Sequence, residues 1–180
     1  MSWTIYIYIN NNWLSNVPWK EFFLSEICEI RSGIRLTKSE MNDGEIPFIG
    51  ATEFNNGITS FISNTNESLD SNILGVNYNG SVCDSFYHPY QCVFSDDVKR
   101  LSFINPSAQN KYCYLFLKQM ITQQKIKYKY GYKFNAERMK KQKIMLPVDE
   151  NNNVNYVFME SFMKVKELKL ILSYLRKINI

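Results

Sequence analysis

Short apolar runs separated by turn-forming residues occupy most of the first 100 residues. Residues 19–30 predict a strand, or a short helix leading into a strand, and residues 34–38 continue it after a turn at Ser32-Gly33. Asn55-Asn56-Gly57 and Asn79-Gly80 predict tight turns, because asparagine and glycine tolerate positive φ. Further runs have the length and composition of β-strands: residues 45–51, 73–78, 82–87, 91–94 and 143–148. The pattern is typical of a compact, β-rich domain.

The apolar spacing becomes helical in two places. Residues 110–124 carry apolar side chains at helical intervals. Near the C-terminus, intervals of 4, 3, 3, 4 and 3 residues predict an amphipathic helix over residues 157–177, whose stripe is Phe158, Phe162, Val165, Leu168, Leu172 and Leu175. We therefore predict an α+β protein with an N-terminal arm of unclear role (1–18), a β-rich domain (19–148) and a C-terminal helix (156–178).

The net charge of +4 conceals a strong asymmetry along the chain. Residues 37–97 contain nine acidic side chains and one lysine, whereas residues 111–143 contain nine lysines and one arginine against one glutamate. Such a change in sign indicates a basic face that binds a polyanion. The alternative is a helix face that is merely solvated.

Cysteine and histidine usage argues against a metal site. Four cysteines stand far apart without a C-x-x-C pair, and His88 is the single histidine, so no zinc-type spacing can be assembled. We expect free thiols, no cofactor and a cytoplasmic location. The N-terminus has no basic start and no long apolar run, so we expect neither a signal peptide nor a membrane helix.

Candidate enzyme motifs are sparse. The sequence lacks a phosphate loop, and Asn105-Pro106-Ser107 is only an incomplete version of a methyltransferase motif. One alternative stays open: Asp84, Asp97 and Lys99 loosely match a small magnesium-dependent nuclease, in which carboxylates hold the ion and lysine steadies a hydroxide. Apart from that hypothesis, the residues predict a binding protein without catalysis.

Residues 125–134 alternate lysines with aromatic side chains around Gly131. Lysines neutralise phosphates and tyrosines pack on sugars, so the segment is typical of nucleic-acid binding. Asn135 is a candidate N-cap, and a helix that starts there would direct backbone N–H groups at an anion. The alternative is an exposed hairpin whose lysines keep an edge strand in solution.

Residues 129–148 begin with the string Lys-Tyr-Gly-Tyr-Lys-Phe-Asn-Ala-Glu-Arg-Met. This whole segment resembles the closing motif of target-recognition domains in type I restriction specificity subunits, especially their type IIB relatives. Three further segments resemble the family's earlier motifs in the same order: Ile-Arg-Ser-Gly-Ile-Arg-Leu-Thr-Lys at 30–38, Ile-Pro-Phe-Ile-Gly-Ala-Thr-Glu-Phe-Asn-Asn-Gly at 46–57, and 78–98. Together the four motifs cover most of the chain.

The resemblance implies sequence-specific binding of double-stranded DNA for an adenine-methylating restriction–modification complex, with recognition loops in the major groove. The resulting DNA-binding candidates are Arg35, Thr37, Lys38, Asn55, Asn79, Lys125, Lys127, Lys129, Tyr130, Lys133, Asn135 and Arg138. Arg and Asn are well suited to reading base edges.

The resemblance also implies partners for the C-terminal helix: an adenine methyltransferase subunit, a restriction subunit, and a second copy or another specificity half. The candidate pairing residues are Phe162, Val165, Leu168, Leu172 and Leu175. A full specificity subunit has two recognition domains and two long helices, whereas this chain has one of each. A truncated fragment that pairs with or inhibits a specificity subunit is therefore the alternative to a working half-subunit.

Overall fold

The computed structural model describes residues 11–128 and 134–178. Within them, strands and short helices alternate up to a long C-terminal helix. The strands are β1 (Trp19–Phe23), β2 (Cys28–Ser32), β3 (Asp43–Ile49), β4 (Ile58–Ile62), β5 (Ile73–Asn77), β6 (Ser85–His88), β7 (Val93–Phe94), β8 (Val98–Phe103) and β9 (Lys143–Pro147). The α-helices are α1 (Leu24–Ile27), α2 (Lys111–Thr122), α3 (Ala136–Lys140) and α4 (Tyr156–Lys177). Short 3₁₀ helices lie at Asn11–Asn16, Asn55–Gly57, Pro106–Ala108 and Gln123–Tyr128.

An antiparallel sheet in the order β2-β8-β5-β6 forms the centre of the fold. Its strand β5 is buried along its whole length. Helix α2 packs against this sheet through a row of aromatic rings, with the Tyr114 ring 5.3 Å from that of Tyr87 and 5.1 Å from that of Phe103. The side chains of Phe116, Leu117 and Ile121 complete this main core.

Two smaller sheets flank the centre. β3 pairs with β4 in antiparallel and with β7 in parallel orientation, and Phe48, Ile62 and Val93 form a separate small core there. The strands β1 and β9 pair antiparallel with Phe22 opposite Ile144, so the first and last strands lie side by side.

Most regular elements agree with the predictions from the sequence. The strands at 73–77 and 143–147 and the helices α2 and α4 are confirmed, because each follows an uninterrupted apolar period. The predicted α+β class is confirmed as well.

Strand β4 was not predicted, and three further details of the prediction are wrong. Residues 34–38 form no strand, because the Ile34 N–H turns away to donate to the Phe94 carbonyl and Thr37 then begins a turn. The strand predicted from residue 82 begins only at Ser85, because Cys83 has a left-handed backbone with φ 67°. Strand β8 was not predicted, because its Lys99-Arg100 pair interrupts the apolar pattern although both side chains are buried.

No helix in the part of the chain that the structure describes is long and apolar enough to cross a lipid bilayer.

Candidate nucleic-acid interface

The basic segment begins where α2 ends and is anchored to the acidic half of the chain. The Lys125 ammonium donates to both carboxylate oxygens of Asp84, each at 2.8 Å. This hydrogen bonding to Asp84 and the nearby charge of Glu53 raise the pKa of Lys125 above its ordinary value. The two segments of opposite charge therefore contact each other, so the basic surface has a carboxylate at its edge.

A buried amide fixes the next residues of the segment. The Gln142 oxygen accepts hydrogen bonds from the Tyr128 hydroxyl at 2.6 Å and from the Lys127 ammonium at 3.2 Å. The amide nitrogen of Gln142 donates to the Gln124 side-chain oxygen at 3.1 Å. Since Gln142 is buried, this network holds the base of the segment against the domain.

Lys127 lies at a small basic cleft of about 240 Å³ beside α3. Three cationic side chains and one carboxylate line it together with Tyr128: Lys127, Arg138, Lys141 and Glu137. Asn135 is confirmed as the N-cap, since its side-chain oxygen accepts from the Arg138 N–H at 3.0 Å. The helix that it caps has only five residues, so the anion-binding capacity of this cleft lies in the side chains.

Three predicted DNA contacts, Lys129, Tyr130 and Lys133, lie outside the described residues. They belong to the connection between Tyr128 and Phe134, whose rings are 4.4 Å apart. Of these two residues, Tyr128 also lines the cleft.

Two of the predicted reading residues converge on the Asp96-Asp97 pair. Arg35 is largely exposed, and its guanidinium lies 3.9 Å from the Asp96 carboxylate. The Asn79 amide donates to the Asp97 carboxylate at 3.0 Å. The Arg35 guanidinium is available to a ligand, whereas Asn79 is half-buried and partly engaged.

The turn that contains Asn55 neighbours the Asn79-Gly80 turn. Asn55 and Asn56 both have positive φ, 49° and 53°, as the sequence predicted for this turn, and their side chains are exposed. The Asn77 amide donates to the Thr52 carbonyl at 3.0 Å, which ties the end of β5 to this turn. The two turns thus lie side by side on one surface. Asp84, the partner of Lys125, lies next to this surface.

Thr37 and Lys38 occupy different environments. The Thr37 hydroxyl donates to the Glu40 carboxylate at 2.6 Å, and the Thr37 N–H donates to the same oxygen at 2.7 Å. These bonds lower the pKa of the Glu40 carboxyl. Thr37 therefore closes its own turn, whereas the Lys38 side chain is exposed.

A largely buried charge cluster that the sequence did not reveal lies between the central sheet and the loop before β5. Asp70 accepts from Arg100 at 3.0 Å and from Arg31 at 2.9 Å, and Arg100 also donates to the Ser32 carbonyl at 2.9 Å. The Arg100 side chain is 7% exposed and that of Asp70 is 17% exposed. The cluster joins β2 and β8 to the loop before β5, and the signal that could have revealed it was the Lys99-Arg100 pair within an otherwise strand-like run.

The nuclease hypothesis finds no support. Asp84 is engaged by Lys125 and Asp97 by Asn79, and Lys99 donates to the Ser32 hydroxyl at 2.9 Å with its ammonium 4.1 Å from the Tyr78 ring centroid. Within residues 11–128 and 134–178 no three acidic, histidine or cysteine side chains are grouped to hold a metal ion. Burial lowers the pKa of His88 to about 4, so this histidine is neutral at pH 7.

The C-terminal helix α4 is anchored at its beginning. Phe162 packs on Phe116 with 5.7 Å between ring centroids, and Tyr112 donates to the Glu167 carboxylate at 2.9 Å. Phe162 thus contacts its own domain, and its predicted place in the pairing stripe stays a prediction. Beyond Glu167, apolar side chains are 41–70% exposed: Leu168, Leu170, Ile171, Leu172, Tyr174 and Ile178.

Residues 16–171 match the family described as "Type I restriction modification DNA specificity domain". The chain belongs to this family of specificity domains. A relative named "Type II restriction enzyme BgcI specificity subunit S.BcgI", from Heyndrickxia coagulans, is 56% identical over 158 residues. That similarity spans 88% of this chain and 46% of the relative, so the specificity domain described here spans about half the length of S.BcgI.

Solved structures of specificity subunits have the same fold. The type I S subunit from M. genitalium superposes with a TM-score of 0.60 at 18% identity, over 92% of this chain and 44% of that one. The HsdS subunit from Thermoanaerobacter tengcongensis gives a TM-score of 0.62 at 12% identity, over 90% of this chain and 40% of that one. The resemblance inferred from the four sequence motifs is therefore confirmed.

Proposed function

We propose that this specificity domain binds double-stranded DNA sequence-specifically and directs a restriction–modification complex to its target without catalysing a reaction itself. The observation that carries the proposal is the basic cleft at Lys127, Arg138 and Lys141, together with Lys125, whose partner Asp84 lies beside the turn that contains Asn55. In this arrangement the cleft holds phosphates, while Arg35 and Asn55 reach base edges. We propose Lys38, whose side chain is exposed, and Asn79 as further DNA contacts.

Membership of the specificity family supports an adenine methyltransferase subunit, and with it a restriction subunit, as the partners that supply catalysis. S.BcgI is named as the specificity subunit of a restriction enzyme, and another solved structure of similar fold concerns complex assembly of the type I restriction–modification system. We place the working complex in the reducing cytoplasm, in keeping with four buried cysteines that are all free thiols.

We further propose that α4 pairs with the same helix of a second copy or of another specificity half. Leu168, Leu172 and Leu175 follow one another at intervals of four and three residues, so they lie on one side of the helix. Val165 is half-buried at the start of this stripe, and Ile171 and Ile178 extend it. An apolar stripe of this length is stable in water only when another apolar surface covers it.

Replacing Lys127 and Lys141 with alanine is expected to weaken binding to all duplexes alike. Each lost phosphate contact should reduce the slope of log K against log salt by up to about 0.9, because fewer counterions are released on binding. The measurement is fluorescence anisotropy with a labelled duplex over a series of salt concentrations.

The matched control removes the same charge from the C-terminal helix as Lys164→Ala/Lys166→Ala, and its salt slope should stay at the wild-type value. If the Lys127→Ala/Lys141→Ala slope also stays there, the cleft is not part of the DNA-binding face. A chain that binds DNA with no sequence preference would favour the alternative of a fragment that pairs without reading.

A further inference from the structure

A second cleft lies between the Asn55–Gly57 turn, β6 and α2, next to the proposed DNA-binding surface. Its volume is about 430 Å³, which lies within the range of small-ligand pockets. The side chains that define its chemistry are Glu53, Phe54, Asp84, Ser85, Phe86 and Lys118. The cleft combines an apolar lining with carboxylates and an ammonium group, and none of these residues belongs to the basic cleft.

Two aromatic side chains give the cleft its apolar lining. Phe54 is 68% exposed although it is a large apolar residue, and it stands immediately before the two left-handed asparagines. Phe86 is half-buried, and the Lys118 ammonium lies 5.0 Å from its ring centroid. The turn is held against Phe86, since a Cβ added to Gly57 would lie 3.4 Å from that ring. The Phe54 carbonyl accepts from the Gly57 N–H at 2.8 Å, so the exposed Phe54 ring is attached to a hydrogen-bonded turn.

The polar side chains of the cleft are two carboxylates, two hydroxyls and one ammonium group. The Ser85 side chain is 1% exposed, and its hydroxyl has no hydrogen-bond partner within the described residues. Both oxygens of Asp84 already accept from Lys125, whereas Glu53 is exposed. An exposed carboxylate beside an aromatic ring suits a planar ligand that carries an amino group.

We propose that this cleft takes one unstacked nucleobase with an exocyclic amino group, adenine or cytosine, from the bound DNA. The base stacks on Phe54, its amino group donates to Glu53, and Lys118 and Lys125 lie beside the attached phosphates. This inference rests on the proposed DNA-binding function, because the cleft adjoins that surface through Lys125. It adds a place for a base outside the helix, which a surface that reads paired bases does not require.

The test uses the full chain and four duplexes of one sequence: fully paired, and with a single-nucleotide bulge of adenine, of purine without the amino group, or of an abasic site. We expect the adenine bulge to bind at least about fivefold more tightly than the abasic bulge, the lower end of what base–aromatic stacking contributes.

Phe54→Ala should abolish this preference. Phe61→Ala, which removes another exposed phenylalanine from the strand β4 that follows the turn, should retain it. Glu53→Ala should remove only the preference for adenine over purine.

The outcomes separate this inference from DNA binding itself. Equal affinity for the three bulges, with binding to the paired duplex intact, would overturn the nucleobase site and leave the proposed function standing. Loss of the preference in Phe61→Ala as well as in Phe54→Ala would also overturn it. Failure of wild-type protein to bind any of the four duplexes would overturn the proposed function and the nucleobase site together. Melting curves of both variants should match wild type, since both rings are exposed.

Discussion

Asp70→Asn is expected to lower the free energy of unfolding by about 3–5 kcal/mol. Asp70 is the shared carboxylate of Arg31 and Arg100, and Arg100 is nearly fully buried. Asparagine has almost the same shape but no charge, so the variant leaves a buried guanidinium without its counter-charge. Chemical denaturation at neutral pH, with the slope of the transition compared to wild type, measures the effect.

The matched control is Glu137→Gln, which removes a carboxylate paired with Lys140 on the surface of α3. Exposed ion pairs contribute little, because solvent screens the charges and both side chains lose conformational freedom. We expect no measurable change in stability for this variant. Equal stabilities of Asp70→Asn and wild type would show that the cluster does not hold β2, β8 and the loop before β5 together.

Leu168→Lys/Leu172→Lys is expected to abolish pairing of the C-terminal helix. Two ammonium groups placed within an apolar contact would have to be buried without counter-charges, which disfavours the complex strongly. Sedimentation velocity should show a paired species for wild type and a monomer for the variant, while circular dichroism confirms that the domain stays folded. α4 should remain anchored, because its contacts with Phe116 and Tyr112 precede the substitutions.

Leu170→Lys supplies the control for the pairing stripe. Leu170 is 70% exposed, but at 100° per residue it lies on the opposite side of α4 from Leu168 and Leu172. This variant should pair like wild type. A wild-type chain that is monomeric at all concentrations and does not bind a methyltransferase subunit would contradict the proposed role of the helix.

The apolar pattern of the sequence predicted those strands and helices whose residues keep the same burial pattern from one end of the element to the other. β5 is buried throughout and α2 presents one continuous face to the sheet, so their apolar periods are plain in the sequence. β8 was missed because Lys99 and Arg100 are buried. Burying a charged side chain is unfavourable unless it has hydrogen-bond or ion-pair partners, and both residues have such partners. Those partners, Ser32 and Asp70, are 30 or more residues away along the chain. The Lys99-Arg100 pair was a local signal of the cluster, but no local pattern identifies partners at that distance.

The sequence predicted which residues belong to the candidate site. It did not predict how these residues are arranged in space. The lysine-rich segment, the asparagine turns and the Asn135 cap could be identified from residue types, because each depends on neighbouring residues. The contact of Lys125 with Asp84 could not, since it joins residues 41 apart and mixes the two segments of opposite charge. Lys141 was not among the predicted contacts, because only the fold brings it beside Lys127.

Selection from a pool of random duplexes tests the central claim most directly. The full chain, incubated with the pool at physiological salt, is predicted to enrich one defined motif over successive rounds. Arg35→Ala/Asn55→Ala should still bind DNA but lose preference within that motif, by roughly 1–3 kcal/mol for each good base contact. A wild-type pool that remains random while DNA is retained would contradict sequence-specific recognition by this domain.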